Sequence, residues 1–242
     1  LFFILPLFQT IGYSFTDYNG INPKKEFTGL TNYFDVFQDK WFYNSMAFTG
    51  KSVLLMILLA NVLGFLLALA LNTKIRSRNI LRAIVFCPFV FNNVTVGFIW
   101  QFLLGRFMTD LYPLTGWKVF NIGWLSDNSL VLYSVVFVKL WQSIGYFMVI
   151  YLAGLQLLPQ DPLEAAVIDG CTGIKMIRYI TIPLMKPTAF VCIFLAITES
   201  LNMFPLIMSL TNGGPGHASE IISLYIYNEA FKSHRMGYAS AL

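Results

Sequence analysis

The sequence predicts an all-α fold: a polytopic transmembrane helical bundle of six core spans, the first and last truncated, with one further helix lying on the cytoplasmic surface. Three observations predict it. Hydrophobic residues make up 57% of the chain and charged residues 12%, about half the roughly 25% charged share of a soluble domain. The mean hydropathy is +0.65. Apolar runs approaching the ~20 residues needed to cross a bilayer recur along the chain.

The first run, 1–15, begins inside an apolar stretch at Leu1. The second spans 53–71. The third, 80–104, contains Pro88. The fourth covers 130–158. The fifth, 187–210, carries Pro205 near its end, where it is expected to interrupt the helix. A sixth is expected to begin near Met236, in the small and apolar stretch that closes the chain. No internal repeat and no low-complexity linker divides the sequence, so 1–242 reads as one domain.

Orientation follows from the density of Lys and Arg beside the spans. Lys74, Arg76, Arg78 and Arg82 crowd the turn after the second span, and Lys175, Arg178 and Lys186 follow the fourth. Both connections are expected in the cytoplasm. The connections at 16–52, 105–129 and 211–235 are longer and more dilute in charge, and are expected outside. Both ends of the core then face the cytoplasm.

Several functions are disfavoured. The net charge of +4 is spread over span ends, not gathered into a nucleic-acid-binding stripe. Cys87, Cys171 and Cys192 share no metal-ligand spacing. No phosphate-binding loop of the type G-x-x-x-x-G-K-[ST] is present, so ATP is not hydrolysed on this chain. His217 and His234 have no metal-like companions and read as solvated.

The connection 158–187 is organised. Pro159 and Pro162 end the fourth helix. Asp161 reads as an N-cap, with Pro162 at the first helical position and Glu164 three residues after the cap. Leu163, Ala166, Val167 and Gly170 share one face, and Gly170 either ends the helix or lets another backbone approach. Ala165, Ala166 and Gly170 are expected near its exposed part. A second helical run, 174–182, is broken by Pro183 and Pro187. Physical chemistry alone leaves two readings: an interfacial helix resting on headgroups, or a peg that fits a groove on a partner.

The residues of this connection resemble a known pattern. Glu164-Ala165-Ala166, three residues, Gly170, nine residues, then Ile180-Thr181-Ile182-Pro183 resemble the signature loop of ATP-binding-cassette (ABC) importer permeases, with Ile182 in place of the usual Leu. Asp169, Leu155-Gln156 with Pro159, 211–216 (Thr-Asn-Gly-Gly-Pro-Gly), and Pro6 with Ser14-Phe15 resemble the carbohydrate, maltose-type branch. The resemblance implies that this loop is a coupling helix. Glu164, Ala165, Ala166, Asp169 and Gly170 would contact a cytoplasmic ATPase, whose dimer closes on ATP and Mg and rocks the spans. It also implies a second, related permease subunit, an extracellular or periplasmic solute-binding protein, a bacterial inner-membrane location and no cofactor on this chain.

Polar residues inside spans are functional candidates. Glu199 lies about 18 Å along the helix from Pro187, near the bilayer middle, with Ser200 and Asn202 beside it. These side chains suit hydrogen bonds to sugar hydroxyls; for Glu199 an interhelical clasp competes with that reading. The fourth span offers Lys139, Gln142, Ser143 and Tyr146, of which Gln142 and Tyr146 share a face with Lys139. Lys139 and Trp141 are also explained by snorkelling and aromatic anchoring. Asn92, Asn93 and Thr95 read as interhelical hydrogen-bonding groups. Two other classes compete. A proton-coupled transporter using Glu199 has no use for a docking loop, and a membrane scaffold has no use for a polar, broken midplane.

Overall fold

The computed structural model describes residues 4–22, 24–73 and 76–242. Leu1 to Phe3 of the first span and Lys74 of the cationic turn lie outside the described residues. The described chain is helical, with one isolated bridge between Thr16 and Phe27. In chain order its helices are α1 (Ile4–Ser14), α2 (Thr31–Gln38), α3 (Lys40–Leu71), α4 (Arg78–Phe86), α5 (Asn93–Gln101) and α6 (Met108–Thr115). There follow α7 (Val131–Gln156), α8 (Gln160–Ile168), α9 (Lys186–Leu201), α10 (Phe204–Leu210), α11 (Ile222–Tyr227) and α12 (Met236–Ala241). α3 and α7 are each long and apolar enough to cross a membrane, and two further candidates are helix pairs bent at short breaks.

Three spans differ from the sequence-based boundaries. α3 starts thirteen residues before the apolar run, at Lys40, and its 32 residues make about 48 Å of helix, longer than a bilayer core. The third span is not one helix. Pro88 sits in a tight 3₁₀ turn, Cys87–Val90, and Phe91 is extended (φ −73, ψ 142) before α5 restarts. Asn92 accepts a hydrogen bond from the Val94 N–H (2.8 Å). It caps its own helix and does not bridge to another, because a restarting helix has unpaired N–H groups next to it.

The fifth span also breaks. α9 ends at Leu201, and Asn202–Met203 separate it from α10, in whose first turn Pro205 sits, where its missing N–H costs nothing. Upstream, Pro183 does not stop its helix. The run Ile174–Leu184 passes through it, because the turn Ile177–Thr181 widens to π geometry and Ile182 N–H donates to Ile177 O. That widening makes room for the proline ring. The chain turns instead at Met185, by 69° into α9.

Backbone contacts divide the chain into two compact units. One comprises 1–51, 97–135 and 204–242. Val36, Tyr225 and Tyr238 form its buried cluster, with Phe42 and Ile222 packed against them. Asp39 accepts hydrogen bonds there from the phenols of Tyr225 and Tyr238. Burial pushes the Asp39 carboxyl up, but the donors Tyr225, Tyr238 and the N–H groups of Trp41 and Phe42 outweigh it and hold it below the usual carboxylate value. His217 is exposed, as the sequence reading expects, and also pairs with buried Glu220 at 2.6 Å and lies 4.4 Å from the Trp41 ring. The turn 211–221 folds back on itself and brings the two together.

The other unit comprises 52–96 and 136–203 and is built around α7. At Gly145 the α4 backbone lies directly on α7: a Cβ there would stand 2.2 Å from Val85 O. Small residues at such crossings allow the close van der Waals packing that holds helices together in lipid. The opposite faces carry exposed apolar side chains, including Leu54, Leu58, Phe190 and Phe194, as expected of surfaces meeting acyl chains.

Candidate functional site

Two places concentrate the candidate residues. The first is α8. Its sequence places the helix one residue before the expected cap: it starts at Gln160, with Pro159 (φ −61, ψ 137) at the N-cap and no side-chain cap bond. Asp161 therefore does not cap it and lies in the first turn, where its charge suits the helix dipole. The C-terminus ends as expected at Gly170, whose φ of +76 is the left-handed conformation glycine accepts without strain. Gly170 N–H donates to Val167 O (3.0 Å) and Cys171 N–H to Ala166 O (2.8 Å). These two bonds form a Schellman closure that satisfies the last carbonyls.

The exposure of α8 corrects one expectation. Ala166 is buried, 5% exposed, where the sequence reading put it near the exposed part. It points into the fold beside half-buried Leu163, whereas Glu164, Ala165, Asp169 and Gly170 face outward. Val167 and Ile168 are also exposed, at 56% and 85%, and Leu157 and Ile174 near the helix ends add to the apolar surface. A Cβ added at Gly170 would meet nothing within 4 Å. The result is a capped helix with Leu163 and Ala166 turned toward the fold and small, acidic and aliphatic side chains exposed around the rest of it.

The second place is the crossing of α7 with α9 and with the Phe91 break. Lys139 on α7 donates from Nζ to Glu199 Oε2 on α9 at 2.6 Å. The Lys139 side chain is 3% exposed and that of Glu199 30%. Gln142 is buried and donates from Nε2 to Phe91 O (3.0 Å), a carbonyl that the break in the third span deprives of a helical partner. Gln142 Oε1 is buried with no hydrogen-bond partner. Tyr146 stacks on Phe89 at 4.5 Å. Gln142 and Tyr146 therefore face the broken third span, while Lys139 faces α9.

The remaining candidates separate by burial. Ser143 and Ser200 are fully buried, and each hydroxyl donates back to its own helix, to Lys139 O (2.8 Å) and Ala196 O (2.6 Å). Asn202 is exposed at the end of α9, its N–H bonded to Thr198 O. The structure thus brings Glu199 and Asn202 to the accessible side of the break and turns Ser200 inward. Sequence reasoning missed a further polar link: Tyr151 donates its hydroxyl to Asn61 Oδ1 at 2.6 Å, joining α7 to α3. The signal was available, since both are polar residues inside apolar runs.

Helices broken at polar positions, with an ion pair buried between two of them, are the architecture of a membrane transport protein. The comparisons agree. The family described as "Binding-protein-dependent transport system inner membrane component" matches residues 60–241. The probable starch degradation products transport system permease protein AmyD of Thermoanaerobacterium thermosulfurigenes is 36% identical, over 98% of this chain and 81% of the relative. The multiple sugar-binding transport system permease protein MsmF of Streptococcus mutans is 32% identical, over 100% of this chain and 83% of the relative. A bacterial ABC transporter involved in the import of the acidic polysaccharide alginate shares the fold, with a TM-score of 0.80 at 22% identity over 99% of this chain and 83% of that one. The chain belongs to the family of inner-membrane components of binding-protein-dependent transport systems, and its part in such a system is the permease.

Proposed function

We propose that this chain forms one half of the membrane pathway of an importer for a sugar or oligosaccharide, driven by ATPase subunits docked on α8. The observation that carries the reading is α8 itself. A helix resting only on headgroups needs no Schellman-capped end with open space at Gly170, whereas a helix that transmits a push must not fray. Small side chains at Ala165 and Gly170 allow close approach, and Glu164 is free to pair with a basic group on the partner. ATP and Mg belong to the ATPase dimer, and this chain holds no cofactor. A second, related permease completes the pathway, and a solute-binding protein delivers the sugar from outside. The cationic residues Arg76, Arg78, Arg82, Lys175, Arg178 and Lys186 lie on the cytoplasmic side, with both ends of the core. The names of the relatives support the sugar assignment. Closing of the ATPases then rocks the single permease domain, 1–242, between inward- and outward-open states.

The test is reconstitution. The permease pair, ATPase and binding protein in proteoliposomes are expected to hydrolyse ATP in response to a member of a neutral-sugar panel and to accumulate it. A panel response confined to glycerol phosphates refutes the sugar assignment, and failure of any ATPase to co-purify refutes the docking. Single cysteines at Ser77 and Asn121, in a background lacking Cys87, Cys171 and Cys192, are expected to label from opposite sides. Labelling from one side refutes the topology.

A further inference from the structure

The charges of α7 and α9 have an asymmetry that bears on what passes them. Within Val131–Gln156 the one charged residue is Lys139, and within Lys186–Leu201 there are Lys186, at the first position, and Glu199. At mid-depth the pair Lys139–Glu199 is therefore all the charge these two helices supply. Its N–O distance of 2.6 Å is that of an ammonium donating to a carboxylate. A Lys buried to this degree is strongly disfavoured without an acidic partner, and Glu199 is the partner it meets. The ammonium is covered, at 3% exposed, and the carboxylate is open, at 30%. Asn202 follows three residues later on the same side and is exposed as well. Ser200 contributes nothing there, being buried and bonded to Ala196 O.

A solute at the break of the fifth span thus meets the acceptor edge of an ion pair and one amide. A carboxylate accepts hydrogen bonds and donates none. Hydroxyl groups satisfy it, while the carboxylate of a sugar acid or the phosphate of a sugar phosphate adds only acceptors and a like charge beside the hydroxyls that remain. We propose that the Lys139–Glu199 pair sets the charge class of the solute, admitting uncharged sugars and rejecting sugar acids and sugar phosphates. This rests on the reading of the chain as a sugar pathway. The pair also acts by position: Lys139 fixes Glu199 and touches no solute.

The experiment is binding to the whole permease–ATPase complex in nanodiscs, without the solute-binding protein, so that the receptor's own selectivity does not enter. The probes are maltotriose and trigalacturonate, equal in length and opposite in the property tested. The native complex is expected to prefer the neutral probe by about tenfold or more. The uncharged pair, Lys139→Met with Glu199→Gln, is expected to lose most of that preference, whatever its effect on the neutral affinity itself. The exchanged pair, Lys139→Glu with Glu199→Lys, retains the clasp and is expected to favour the uronate. Equal affinity of the native complex for both probes overturns the proposal, and so does a preference unchanged in either folded variant. Binding of neither probe by the native complex overturns the sugar reading itself, and the charge rule falls with it.

Discussion

Substitution of Gly170 separates docking from local strain. Its φ of +76 penalises any side chain by roughly 1–2 kcal/mol, while a Cβ there meets nothing within 4 Å. Gly170→Ala therefore carries the backbone penalty with almost no bulk. Gly170→Asn carries less penalty, since Asn tolerates the left-handed region. Gly170→Trp carries a similar penalty to Ala and fills the open space in front of α8. If α8 seats in a groove, the Ala and Asn variants keep most coupling. The Trp variant is then expected to leave basal ATP hydrolysis in place and abolish its solute response and uptake. The assay is ATP hydrolysis and uptake in proteoliposomes, with the melting temperature of the permease monitored alongside. Full uptake with Trp refutes docking. Loss with Ala as severe as with Trp, together with a lowered melting temperature, shows that the Schellman closure and not the groove was disturbed.

Three other outcomes are expected. Asn202→Ala removes one exposed neutral hydrogen-bonding group and is expected to weaken apparent uptake affinity by up to about tenfold; Ser200→Ala, buried and self-bonded, leaves it unchanged. The reverse order in a kinetic comparison refutes the assignment of faces. Gly145→Ala forces a Cβ against Val85 O and is expected to destabilise the α4–α7 crossing by about 1–3 kcal/mol, read as a lowered melting temperature of the detergent-solubilised chain; an unchanged value shows that the crossing relaxes freely. Asp39 has a depressed pKa in the fold, so its contribution is present above the ordinary value of 3.8 and is lost as pH falls below it. Asp39→Asn is expected to cost on the order of 1.5 kcal/mol, given partial exposure, and to flatten the acid limb of the stability–pH curve; an unaltered acid limb refutes that role.

By itself the sequence determined the class of the fold and the place of its long apolar runs. Lipid as solvent demands long apolar runs, and such runs are visible without any contact information, as the near-agreement of α7 with 130–158 shows. The turn at Gly170 was legible for the same reason: a left-handed residue is a local property, and glycine announces it. What the tertiary structure decided was pairing and facing. Glu199 admitted two readings because sequence does not say whether Lys139, sixty residues away, lies at its side. Asn92 caps its own helix and Ala166 turns inward because the break at Phe91 and the seating of α8 fix which way each side chain points. Ser200 and Asn202 stand two apart in sequence, yet one is enclosed and the other open, since a helix rotates about 100° per residue and neighbouring helices cover one side of α9. Periodicity reports that a face exists, but only packing tells which face is covered.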